Sequence, residues 1–119
     1  MSQKTYSPKV PVHIDPPKHD PFTLTELAQY DGVRSDKIYV SILSNIYDVT
    51  RSGSYNPGKN YHIFAGRESA RALGKSSLKL EDVLRGDDLE GYTEKEHETL
   101  QGWVRFFEQR YNIVGRVKN

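Results

Sequence analysis

The stretch from Lys37 to Thr50 limits the fold more than any other part of the chain. Ile38, Val40 and Ile42 alternate with Tyr39 and Ser41, the period of a half-buried strand. Ser44-Asn45 supplies a turn, and Ile46-Tyr47-Asp48-Val49-Thr50 returns as a second strand. A hairpin alone is marginal in water and needs further strands or a helix over its apolar face. The rest of the chain offers mainly helices. Thr23-Leu24-Thr25-Glu26 and Thr93-Glu94-Lys95-Glu96 are capping boxes, in which threonine and glutamate side chains satisfy free amides at a helix start. The second opens the longest predicted helix, with Leu100, Trp103, Val104 and Phe107 as its apolar stripe. Ile63–Leu73 reads as a helix stopped by Gly74, and a shorter one runs from a Ser77 cap to Leu84, closed by Gly86. Ile113, Val114 and Val117 suggest a last short strand. The pattern predicts an α+β domain, a small sheet flanked by short helices.

Residues 1–21 stand apart. They hold five of the six prolines, Pro8, Pro11, Pro16, Pro17 and Pro21. Proline removes backbone donors and disfavours helix, so this stretch should be an extended or disordered tail, with the domain occupying residues 22–119. At 119 residues and 35% hydrophobic, the chain suits one domain with a modest core that a bound cofactor would help to fill.

Lys plus Arg is 17 and Asp plus Glu is 16, a net charge of +1 that gives no electrostatic case for nucleic acid or anionic membrane as main partner. The absence of cysteine excludes disulfides, thiolate metal sites and thiolate haem ligation. No segment approaches the ~18 apolar residues that span a bilayer. The absence of cysteine fits the cytoplasm, the expected location. There is no Ser-His-Asp set, no phosphate-cradling glycine loop and no zinc spacing, so the chain is expected not to be an enzyme.

The loop after the hairpin carries the chemistry. It reads Ser54-Tyr55-Asn56-Pro57-Gly58-Lys59-Asn60-Tyr61-His62-Ile63-Phe64-Ala65-Gly66. The order of helix, hairpin and loop resembles the start of a cytochrome b5 domain, but Asn56 stands where that fold's first haem-binding histidine would be. Residues 65–92 contain no histidine for the second position. The run Tyr61 to Leu73 (Tyr-His-Ile-Phe-Ala-Gly-Arg-Glu-Ser-Ala-Arg-Ala-Leu) is similar to the Tyr-x-x-Phe-Ala-Gly motif region of the membrane-associated progesterone receptor (MAPR) family. Tyr92-Thr93-Glu94-Lys95-Glu96 with Leu100 and Trp103, then Phe107, Tyr111, Val114 and Gly115, echo later family motifs in order. The likeness covers about residues 22–117.

The resemblance implies a cytochrome b5-like fold with haem b in a cleft between the helices after the hairpin. It implies Tyr61 as the axial ligand of ferric iron, Tyr55 lining the pocket, and Arg110-Tyr111 near the haem in place of the family's Lys-Tyr. Arginine keeps the positive charge for a haem propionate. The loop departs from the family pattern at Asn56, Gly58 and Lys59, while the Tyr55–Tyr61 spacing is intact.

Ferric iron stabilises a phenolate and lowers the tyrosine pKa from ~10; the anionic oxygen favours Fe(III) and so disfavours rapid electron shuttling. His62 is the alternative ligand, adjacent to Tyr61 but pointing elsewhere on a helix. His97 reads as a partly buried structural histidine, and Trp103 and Phe107 as core. Arg67, Arg71, Lys75 and Lys79 read as a solvated basic face. The partners the resemblance implies are haem, steroids or sterols, and cytochrome P450 enzymes, in a role supporting sterol metabolism or sensing and delivering haem. The resemblance also adds the periphery of the endoplasmic reticulum membrane to the expected location. A five-coordinate haem with an open face would also permit a haem-dependent homodimer. The competing readings are a haem-free steroid or small-lipid module, a b5-like interaction domain with a decayed pocket, and an electron carrier.

Overall fold

The computed structural model describes residues 12–118. The expected tail therefore lies partly outside the described residues, Pro8 and Pro11 included. In chain order the elements are β1 (Pro21–Phe22), α1 (Leu24–Leu27), β2 (Tyr39–Ile42), β3 (Asn45–Asp48), α2 (Ala70–Gly74), α3 (Leu80–Val83), α4 (Glu94–Arg110) and β4 (Ile113–Val117). Two 3-10 turns, Thr50–Ser52 and Asn60–Phe64, fall between β3 and α2. The sheet order is β1-β4-β3-β2, with β1 parallel to β4 and the other pairs antiparallel. This is the expected α+β architecture, a mixed sheet flanked by short helices.

Residues 12–20 are exposed and lack regular structure, yet they run hydrogen-bonded along the end of the domain. The Asp15 amide donates to Asn112 Oδ1 at 2.8 Å, the Lys18 amide to the Ile113 carbonyl at 3.0 Å, and the Arg116 amide to the Asp20 carbonyl at 2.8 Å. Pro21 is tolerated in a strand because β1 is at the sheet edge.

The hairpin forms, with two differences from the sequence reading. First, β2 is buried along its whole length rather than on one face. Ile38, Val40 and Ile42 face the main core with Tyr47, Val49, Phe64, Leu73, Leu100 and Phe107. On the opposite face Tyr39 packs with Leu27 and Ile46, and its ring stacks on Tyr30 at 4.4 Å. Second, the turn sits one residue earlier than expected. Leu43 and Ser44 are its central residues, both left-handed, with φ of 52° and 73°, the positive-φ pair of a tight hairpin turn.

Glu68 explains how non-glycine residues hold that conformation. Its buried carboxylate accepts from the Leu43 amide at 3.0 Å, the Ser44 amide at 2.7 Å, the Ser41 hydroxyl at 2.8 Å and the Ala70 amide at 3.0 Å. One side chain thus clamps the hairpin turn onto the start of α2.

The same contact breaks the helix predicted over Ile63–Leu73. The chain makes a 3-10 turn to Phe64, turns at Gly66 with φ of 70°, bridges Ser41 at Glu68, and only then enters α2. Gly66 is required there: a Cβ would lie 3.2 Å from the Ala28 backbone as well as in a left-handed conformation. The α3 helix is also shorter than predicted. Ser77 acts ahead of it, accepting from the Lys79 amide and donating to Asp82 at 2.6 Å.

Both capping boxes form as read. The basic face does not. Arg71 is buried and its Nη1 donates to the Asp88 and Glu90 carbonyls at 2.7 and 2.9 Å, tying α2 to the loop after α3. Lys75 pairs with Glu96 at 3.0 Å. These cations are consumed internally, and Arg67 and Lys79 remain exposed.

Candidate functional site

The 3-10 turn Asn60–Phe64 positions the central side chain of the site. With about three residues per turn, residues three apart lie on one side. Tyr61 and Phe64 accordingly pack together, ring centroids 5.8 Å apart. His62 projects away from them. Its Nε2 lies 2.8 Å from the Asp31 carbonyl, which can only accept, so this nitrogen carries the proton. Tyr61 lines a cleft of about 230 Å3 with Phe64, Ala72, Leu73, Leu78 and Trp103. His62 is not among the cleft-lining residues.

Tyr55 reaches the same cluster from the loop before. Its ring is 5.8 Å from Tyr61 and 6.1 Å from Phe107, and only 3% of the residue is exposed. Burial pushes the Tyr55 hydroxyl well above the usual phenol range, with Tyr111 and Tyr61 adding to the effect. Tyr55 therefore stays neutral at physiological pH. Tyr61 is half-buried at the cleft. Neither hydroxyl is hydrogen-bonded within the described residues. Of these two neighbouring phenols, Tyr55 is sealed in the core and Tyr61 lines the cleft.

The Arg110-Tyr111 pair divides. Tyr111 packs on Phe107 at 5.1 Å and belongs to the same aromatic cluster as Tyr55. The Arg110 guanidinium lies 3.9 Å from the centre of the Phe106 ring, a cation–π contact on the outer side of α4. Neither residue lines the cleft around Tyr61. His97, expected to be partly buried, is exposed, its ring edge-on to Tyr92 at 5.0 Å. It begins the exposed side of α4, and the spacing to Leu100 did not distinguish the two faces.

Trp103, expected in the core, packs against the main core cluster but does more than fill it. Phe107 is fully buried, but Trp103 is half-buried and forms a wall of the cleft, 6.3 Å from Tyr61. Its other side faces a second, larger groove of about 800 Å3 whose floor includes Gly102 and Phe106. Trp103 and Ser76 border both spaces. The only available signal was that Trp103 sits at the edge of its helical stripe. Among the described residues no group of three or more His, Cys, Asp or Glu side chains is placed to hold a metal ion, and no helix is long and apolar enough to cross a membrane.

Comparison with known proteins decides the family. The chain is 48% identical over 98 residues to probable steroid-binding protein 3 of Arabidopsis thaliana, covering 81% of this chain and 96% of that one. It is 36% identical over 99 residues to human membrane-associated progesterone receptor component 2, covering 81% of this chain but 44% of the human protein. The chain belongs to the MAPR family of cytochrome b5-like domains.

A further relative is the cytochrome P450 regulator dap1 of Schizosaccharomyces pombe, 32% identical over 107 residues, with 85% of this chain and 64% of dap1 covered. Among solved structures, a hypothetical Arabidopsis protein with a cytochrome b5-like fold superposes with a TM-score of 0.73 at 45% identity, covering 85% of this chain and 93% of that one. No family model matches the sequence. These relatives are named as a steroid-binding protein, a receptor component and a P450 regulator, and none of the names quoted is that of an enzyme.

Proposed function

We propose that the domain binds haem b with the Tyr61 phenolate on ferric iron. The observation that carries this reading is the pair of phenols 5.8 Å apart, one sealed and neutral, the other at a cleft with its hydroxyl unbonded. The donor chemistry fits the group. A phenolate is an established haem ligand, and Phe64, Leu73 and Trp103 supply apolar walls. Bound haem would supply a ferric centre of low reduction potential. Tyr61 would give up its proton and hold the iron. Tyr55 would keep its proton and offer a hydroxyl beside the ligand oxygen. Arg110 would have to swing from the Phe106 ring to provide a positive charge for a propionate.

The cleft, at about 230 Å3, is smaller than the roughly 300–1,000 Å3 of most small-molecule sites. Loading it with haem requires side-chain movement at the cleft walls, where Leu78 is exposed and Tyr61 and Trp103 are half-buried. The physiological role we infer is support of cytochrome P450 enzymes in sterol metabolism, or haem sensing and delivery. The relatives named as a P450 regulator and as steroid-binding proteins support it.

The test is an absorption titration of wild type, Tyr61→Phe and His62→Ala with haem. Saturable one-to-one binding, with a high-spin ferric phenolate spectrum lost only in Tyr61→Phe, is expected. Loss confined to His62→Ala would move the ligand by one residue, and no specific binding by wild type would leave a haem-free steroid module as the better account.

A further inference from the structure

We propose that the outer groove along α4 is the seat of the proline-rich segment Tyr6–Pro11 of this same chain, docked against Trp103 from the side away from the Tyr61 cleft. This assignment goes beyond the haem reading and stands whether or not the Tyr61 cleft binds haem.

The groove, of about 800 Å3, runs along one face of α4. Its charges are mixed, Lys95 and Arg105 against Glu98, and select no ion. Its rings are more selective. Trp103 and Phe106 stand edge-to-face with centroids 5.8 Å apart, and Gly102 beside them carries no side chain. Aromatic-lined grooves are the surfaces on which Pro-x-x-Pro segments dock in polyproline II conformation. Pro8-Lys9-Val10-Pro11 is such a segment. With three residues per turn, polyproline II would put Pro8 and Pro11 on one side, toward the two rings. A helix face also suits this occupant better than an added strand. The amides of a helix are already bonded within it, so α4 offers no ladder to a strand, whereas polyproline II needs none.

The reach is sufficient. Asp15 is held just past the end of α4: its amide donates to Asn112 Oδ1 at 2.8 Å, and its carboxylate accepts from Asn112 Nδ2 at 3.2 Å. The four steps from Asp15 back to Pro11 cover up to about 13 Å of extended chain. Phe106 lies only about 6 Å inside the helix end at Arg110. From there Tyr6–Pro11 would run toward the start of α4, spanning about 15 Å as polyproline II. The helix from Lys95 to Phe106 spans about 16 Å, so segment and groove match in length. Trp103 would then carry the segment on one side and wall the Tyr61 cleft on the other.

The chain has one tryptophan and no cysteine, which makes a contact test specific. A nitroxide attached at Ser7→Cys quenches tryptophan emission only on contact. In the full chain at low concentration, before any haem is added, Trp103 emission should be about twofold or more below that of the same protein with its nitroxide reduced. Pro8→Gly together with Pro11→Gly, and separately Thr99→Arg in the groove, should each remove at least about half of the quenching. Circular dichroism identifies whether Thr99→Arg folds; if it does not, the glycine pair decides the matter.

Equal emission from the two forms of the label would overturn the proposal. So would quenching that survives the glycine pair or a folded Thr99→Arg, the mark of a tail that is merely tethered nearby. Quenching that appears only as the protein concentration rises would overturn it in favour of docking between two copies.

Discussion

The β2 edge of the sheet and the face beneath α4 treat their polar groups in opposite ways. At the edge, the buried Glu68 carboxylate receives four hydrogen bonds and locks a left-handed turn to a helix start. Beneath α4, the hydroxyls of Tyr47, Tyr55 and Tyr61 have no hydrogen-bond partner within the described residues, although Tyr47 is fully buried. A buried polar group without a partner is a cost to the fold, and a satisfied one specifies a conformation. The difference teaches where the molecule is scaffold and where it holds unused capacity for a ligand.

Removing the clamp should have the largest effect. Glu68→Ala orphans several donors at once, each costing about 1–3 kcal/mol when buried. We expect a loss of about 3 kcal/mol or more in urea unfolding, a large share of a typical domain's stability. A loss below about 1 kcal/mol would mean that the turn holds without Glu68, and the contrast with the α4 face would collapse.

Tyr61→Phe probes the other side. Deleting an unbonded, half-buried hydroxyl should change stability by less than about 0.5 kcal/mol, while haem affinity falls about tenfold or more. Equal damage to both would make Tyr61 a structural residue.

Tyr47→Phe sharpens the comparison in the opposite direction. It removes a buried hydroxyl that bonds to nothing, so unfolding free energy should rise by about 1 kcal/mol. Burial, with Glu108 adding, pushes the Tyr47 hydroxyl up to about 12. The fold holds its neutral form, and the unfolded phenol ionises near pH ~10. The stability tied to that proton is complete below pH ~10 and is lost as the pH rises from there through about 12. Alkaline unfolding curves should therefore be shallower in Tyr47→Phe. Identical curves would mean that this hydroxyl reaches a hydrogen-bond partner.

The smallest effect is expected at Lys75–Glu96, a 3.0 Å pair with both side chains about a quarter exposed. Lys75→Met should cost only about 0.5 kcal/mol, and the loss should shrink in high salt. A loss of several kcal/mol would show that the α2–α4 contact depends on charge more than on packing.

Local signals made much of the fold legible. Capping boxes work within four residues, and both form as read. The hairpin and the last strand follow from alternation over a few positions. The misreadings arose where distant contacts override periodicity. Ile63–Leu73 carries helix-compatible residues, but Gly66 must pass the Ala28 backbone and Glu68 must reach the hairpin turn, so the helix is cut short. Arg71 looked like a surface cation because its partners, the Asp88 and Glu90 carbonyls, carry no sequence signature. Trp103, packed on the core as read, was indistinguishable from the more buried Phe107 on the same stripe, since burial at a stripe's edge depends on what packs opposite.

The sequence by itself determined the element types, the family motifs and the close spacing of Tyr55 and Tyr61, because propensity, capping and short-range periodicity act within a few residues. Only the tertiary structure decided which tyrosine is sealed and which lines the cleft, that His62 turns to Asp31, and that Trp103 divides two spaces. Those outcomes depend on desolvation and packing against residues up to about fifty positions away, as between Tyr55 and Phe107, and burial is a property of the assembled core rather than of any segment.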